Sequence, residues 1–165
     1  MKDYVHNLAE ECVSYARSIG ADQVQAAAEE GKDFSATVRN GTVEELEEAR
    51  ETELGIKVII GTRTATAGST DLRPEVLNPL IDDAVKRARL SGEDACAGLP
   101  DRVDTPPDPE QLRICDPEAA SITPRDKIGF ARAVEKAALS GRPELRSQGA
   151  YIHSYEGRTV LVNSN

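Results

Sequence analysis

The sequence predicts an α+β fold: a two-layer sandwich in which a mainly antiparallel sheet, built of hairpins and a meander, packs against amphipathic helices. Three observations carry this expectation. Apolar residues recur at three- and four-residue steps in three separate stretches, around residues 5–19, 77–88 and 128–138, which is the stripe of a core-facing helix. Between the first two stretches lie runs in which apolar and polar residues alternate, the period of a half-buried strand. One such run ends in Asn40-Gly41, and a type I′ hairpin turn favours this dipeptide because both central residues need positive φ.

Val5, Leu8, Ala9, Cys12, Val13, Ala16 and Ile19 form the stripe of the first helix, and Gly20 stands where a C-terminal cap is wanted. Residues 22–30 and the stretch DFSATVRN (33–40) predict two strands, the first bracketed by Gly20 and Gly31, the second alternating through Phe34, Ala36 and Val38. The Asn40-Gly41 turn requires a returning strand. Val43 to Glu53 must supply it, although glutamate, leucine and alanine there favour a helix in isolation; strand context overrides that weak preference. GIKVIIG is almost wholly apolar and reads as a central, doubly covered strand, with Gly61-Thr62 turning the chain into RTATAGST and completing a meander of four or five strands.

Leu77, Leu80, Ile81, Ala84, Val85 and Ala88 define a second helix. A proline inside a helix costs about 3 kcal/mol, so the regular helix is expected to start near Asn78 with Pro79 in its first turn. Residues 98–123, rich in proline, read as an extended crossing segment. Thr123, Pro124 and Asp126 then supply an N-cap, a first-turn proline and an N3 acid for a helix to Ser140, with Ile128, Ala131, Val134 and Ala138 turned inward. Two alternating runs around Glu156-Gly157 read as a closing hairpin. Residues 1–165 are expected to form a single domain in segments 1–97, 98–123 and 124–165, and the stop in mid-strand at Asn165 suggests a boundary within a longer protein.

Composition narrows the partners. Asp plus Glu outnumber Lys plus Arg by 29 to 20, a net charge of −9, which repels a phosphate backbone and argues against direct nucleic-acid binding. Cys12, Cys96 and Cys115 are odd in number and form no C-x-x-C pair, so a reducing cytoplasm is the expected compartment. No apolar stretch resembles a signal peptide or a membrane span.

Motifs for chemistry are scarce. GTRTATAGS lacks the lysine and the glycine spacing of a phosphate loop. Ser69, Thr70 and Asp71 place a hydroxyl beside an acid with no histidine near in sequence, so a turn role is favoured over a nucleophile. His6 and His153 belong to no ligand pair, and DRVDTPPDPE lacks the ladder of a calcium loop. The glutamates between Glu44 and Glu53 are either a solvated face or a charged edge that limits strand pairing or meets a basic partner. The residues alone point to no catalytic, cofactor-binding or metal site.

The run from Arg39 to Asp101 resembles the signature of the TldD/PmbA family, also called TldD/TldE and known as modulators of DNA gyrase. The carrying motifs are RNGTVEE, LGIKV, GTRTATAGSTDL and EDACAGL, and RICDPEAASITPRDKIGFARAVEKAALSGRPELRSQGAYIHSYEGRTVLVNSN follows the family's second segment. Glu93 to Asp101, with Asp116-Pro117, looks more like the PmbA (TldE) branch. Gly68, where the family usually has alanine or serine, and Pro79 depart from the pattern.

The resemblance implies the N-terminal domain of a subunit in a two-component zinc metalloprotease that processes peptides and unfolded proteins. It implies that zinc is held in the TldD-type subunit by an H-E-x-x-x-H helix, a motif absent between Met1 and Asn165. Expected partners are a TldD-like subunit, a second copy of the chain, or both, together with the peptide substrate. The motif positions Arg39, Asn40, Gly41, Glu44, Gly55, Arg63, Ser69, Thr70 and Asp71 are implied as structural or substrate-cavity residues. The alternative is a free-standing acidic interaction module.

Overall fold

A computed structural model describes residues 4–101, 109–114 and 116–165. Helix α1 (Tyr4–Ser18) is followed by strands β1 (Gln23–Arg39), β2 (Thr42–Ile60) and β3 (Arg63–Ser69) and helix α2 (Pro74–Leu90). Two single-turn helices, α3 (Pro109–Leu112) and α4 (Pro117–Ala120), precede helix α5 (Pro124–Leu139) and strand β4 (Ala150–Asn163). The antiparallel sheet has the order β3-β2-β1-β4. This is the α+β fold with helices laid on a sheet that the sequence predicts.

The described residues fall into two compact units. The first takes its residues from Met1–Glu30, Glu51–Asp104 and Gly157–Asn165. Its core joins Val5, Leu8, Ala9, Cys12, Val13 and Ala16 of α1 to Val24, Ala26 and Ala28 of β1, Leu54, Ile56 and Val58 of β2, and Leu77, Ile81, Ala84, Val85 and Ala88 of α2. Strand and helix periodicities meet here: every second residue of each strand and one stripe of each helix face the same interior. Helix α1 stops because Gly20 takes φ 103°, which lets the Ala21 amide bond the Ala16 carbonyl at 3.1 Å, a Schellman closure. The β2–β3 pairing runs from Leu54 opposite Ser69 to Ile60 opposite Arg63, across the expected two-residue turn.

The second unit takes its residues from Gly31–Arg50 and Thr105–Glu156. Its smaller core packs Val38, Ala131 and Ala150 with Val43, Ile128 and Ile152. Phe34 is buried, and the Lys127 ammonium sits over its ring, 5.3 Å from the centroid, a cation–π contact that offsets part of the cost of burying lysine.

Several expectations need correction. Residues 22–39 form one strand, because the Tyr155 ring occupies the space a Cβ of Gly31 would take, 2.8 Å away; an aromatic neighbour restores the packing a mid-strand glycine lacks. With β2 likewise continuous, the meander has three strands. Glu156-Gly157 is not a turn: β4 runs straight through it, since long β1 already offers a pairing partner. The two strands are tied at the Arg39–Gln148, Asp33–His153 and Gln25–Asn163 contacts.

Helix α2 begins at Pro74 and contains Pro79. The carbonyl that Pro79 leaves unbonded belongs to exposed Glu75 and can meet water, while Leu77 and Ile81 hold both sides of the proline in the core. In α5 the inward stripe is Lys127, Ala131 and Glu135, whereas Val134 and Ala138 are exposed. Two helical turns also interrupt the proline-rich segment, one of them capped by the Asp116 carboxylate on the Glu118 amide at 2.9 Å. Residues 102–108 and Cys115 lie outside the described residues.

Candidate functional site

The implied motif positions separate into two groups. Arg39, Asn40, Gly41 and Glu44 surround the β1–β2 hairpin tip in the second unit. Asn40 and Gly41 take φ 52° and 75°, the positive values a type I′ turn demands. Their two amides converge on the Glu135 carboxylate, at 2.7 Å from Asn40 and 2.8 Å from Gly41. The Ser147 hydroxyl also donates to Glu135, and Arg132 donates to the Gly41 carbonyl at 3.0 Å. The Ser147 hydroxyl and these amides hold the Glu135 carboxyl below its ordinary value, as donors to the charged form do. Arg39 completes the group by pairing Glu44 at 3.0 Å and the Gln148 carbonyl at 3.1 Å. The glutamate-rich arm after the turn is thus a strand locked at its start by a helix.

Gly55, Ser69 and Thr70 form the second group, in the first unit. Together with Glu53, Leu54 and Gly68 they line an open depression of about 440 Å³. Gly55 lies directly opposite Gly68 in the ladder, so no side chain rises there from either strand. The Ser69 hydroxyl accepts from the Asp71 amide at 2.9 Å and donates to the Asp71 carbonyl at 3.0 Å, a local turn that leads into α2. The Arg73 guanidinium holds Asp71 ionised, with its carboxyl at about 2. Arg63 stands at the opposite end of β3, where it donates to the Arg89 and Ser91 carbonyls at 3.1 Å and pairs with Glu93. Its work there is to satisfy the last carbonyls of α2.

Sequence reasoning missed Arg132, Glu135 and Ser147. A glutamate four residues after Ala131 and eight after Lys127, all three buried, was the available signal, but an acid inside a helix reads as solvated until its partner is known.

His6 pairs with Glu10 and His153 with Asp33, and among the described residues no group of three or more His, Cys, Asp or Glu is placed to hold a metal ion. No helix among them is long and apolar enough to cross a membrane.

Comparison with known proteins follows the same lines. Residues 24–89 match the family model for PmbA/TldA metallopeptidase domain 1. The metalloprotease PmbA of Escherichia coli O157:H7 is 31% identical over 160 residues, which cover 94% of this chain and 35% of that protein. The chain therefore spans about a third of that relative's length. A Bacteroides thetaiotaomicron structure described as a modulator of DNA gyrase superposes with a TM-score of 0.82 at 23% identity, covering 96% of this chain and 36% of the other. TldE from Thermococcus kodakarensis superposes with a TM-score of 0.69 at 19% identity, covering 95% and 35%. A single run of sequence thus shares a family's domain model, nearly its whole length with a PmbA, and its fold with two further structures: the chain belongs to the TldD/PmbA family and corresponds to its N-terminal domain.

Proposed function

We propose that this chain is the non-catalytic N-terminal domain of a PmbA/TldE-like subunit, and that the subunit joins a zinc-bearing TldD-like partner in a cytoplasmic metalloprotease acting on peptides and unfolded proteins. The observation that carries the reading is the alignment of 94% of the chain with about a third of the metalloprotease PmbA. The chain's two histidines, each paired with a carboxylate, fit a supporting role better than zinc binding. Free Cys12 and Cys96 agree with a reducing compartment.

In this reading the domain contributes a wall of the substrate cavity. The Glu135 clasp fixes the hairpin of the second unit, and the Ser69–Asp71 turn and Arg63 fix the two ends of β3 in the first. Zinc, when bound by the partner, supplies the activated water of peptide hydrolysis.

The test is cleavage of an unfolded peptide by the full-length subunit, by its TldD-like partner, and by both together. Activity is expected only from the pair, and it is expected to disappear with a zinc chelator. Hydrolysis by the 165-residue chain alone, or an inactive pair, would overturn the reading.

A further inference from the structure

Strand β2 is 19 residues long, yet β3 pairs only with its Leu54–Ile60 part. On the side away from β1, residues 42–50 have no strand partner among the described residues, and Glu44 through Glu48 are all exposed. Such an edge leaves alternate amides and carbonyls without partners, a template for another extended chain.

The charges on this edge are unequally compensated. Glu44 pairs with Arg39 at 3.0 Å and Glu48 with Lys32 at 3.1 Å. Glu45 reaches only the Thr37 hydroxyl, at 3.5 Å, and Glu47 has no ion pair among the described residues. Two residues apart in a strand, Glu45 and Glu47 face the same side of the sheet. A second copy of the chain would bring the same carboxylates to the edge and be repelled, whereas alternate lysines or arginines would stand opposite them favourably. Exposed Leu46 offers an apolar contact on the other side.

We infer that the outer edge of β2, from Thr42 to Arg50, takes a basic, extended peptide by strand addition and so selects cationic segments among the substrates. This rests on the peptide-handling reading above. Main-chain bonds supply affinity that tolerates sequence, and Glu45 and Glu47, without an ion pair among the described residues, supply the preference for positive charge.

The experiment titrates the 165-residue chain with a labelled seven-residue peptide that alternates lysine with threonine or valine. The glutamate counterpart, and a lysine peptide N-methylated at alternate residues, serve as comparisons. The lysine peptide should bind at least tenfold tighter than either, weaken with added salt, slow amide exchange between Val43 and Ala49, and lose tenfold or more in affinity with the surface double variant E45K/E47K. Equal binding of the lysine and glutamate peptides, an undiminished affinity of the N-methylated peptide, an unaffected double variant, or no binding would each overturn the inference. Those outcomes leave the subunit reading standing, which fails separately if the assembled pair cleaves no peptide.

Discussion

Replacing Gly41 by valine tests whether the hairpin tip is held by its own backbone geometry. Gly41 sits at φ 75°, a left-handed conformation that costs a residue bearing a Cβ roughly 1–2 kcal/mol. A Cβ added there would meet no heavy atom within 4 Å, so no clash contributes and the cost is conformational. Branching at Cβ brings the expected destabilisation of Gly41→Val to about 2–3 kcal/mol, within the range for strained backbone positions. Asparagine tolerates the same region, so Gly41→Asn should lose under about 1 kcal/mol. Urea unfolding followed by circular dichroism reads the difference. For a chain of this size, each kcal/mol should also lower Tm by about 2–4 °C. A valine variant as stable as the asparagine variant would refute the reasoning, because it would mean the turn relaxes without loss to the Glu135 and Arg132 bonds.

Three further outcomes are expected. Ile81→Ala empties a fully buried site of the larger core and should cost about 2–5 kcal/mol in urea unfolding, whereas Leu90→Ala, 85% exposed, should stay within about 0.5 kcal/mol of wild type. Burial, with help from Glu11, pushes the Cys12 thiol up to about 11. Alkylation at pH 8 mapped by mass spectrometry should therefore modify exposed Cys96 and spare Cys12 until denaturant is added; because this pKa is raised on folding, the associated stability is present below about 9 and lost as pH rises towards 11. Asp71 is held down to about 2 by Arg73, so its contribution is present above the ordinary carboxyl value of 3.8 and is lost as pH falls towards 2; in acid titrations, Asp71→Asn should flatten that part of the profile.

Where local chemistry and tertiary context agreed, the fold was readable from the chain. The stripes of α1 and α2, the Asn40-Gly41 turn and the Thr123–Asp126 capping box all stand where the residues place them. The glutamate-rich arm was recoverable against its own helix propensity, because a type I′ turn obliges the chain to return as a strand. The errors arose where a distant partner decides. Gly31 and Gly157 read as breaks, but Tyr155 covers the first and β1 supports the strand through the second. Pro79 reads as a helix start because its lost hydrogen bond is visible in sequence, while the core contacts of Leu77 and Ile81 are not.

The candidate site shows the same division. Its motif positions could be named from the family resemblance, but their grouping could not: Arg63 and Ser69 close opposite ends of one short strand. Glu135 lies 94 residues from the Gly41 amide it accepts from, and no local pattern announces that bond.

The most direct test of the central claim is to read the native gene beyond the codon for Asn165. The PmbA-like reading expects a long continuation of the frame without H-E-x-x-x-H. A stop codon soon after Asn165 would contradict it and leave a small acidic binding module, while a continuation that contains H-E-x-x-x-H would make this the front of the zinc-bearing subunit instead.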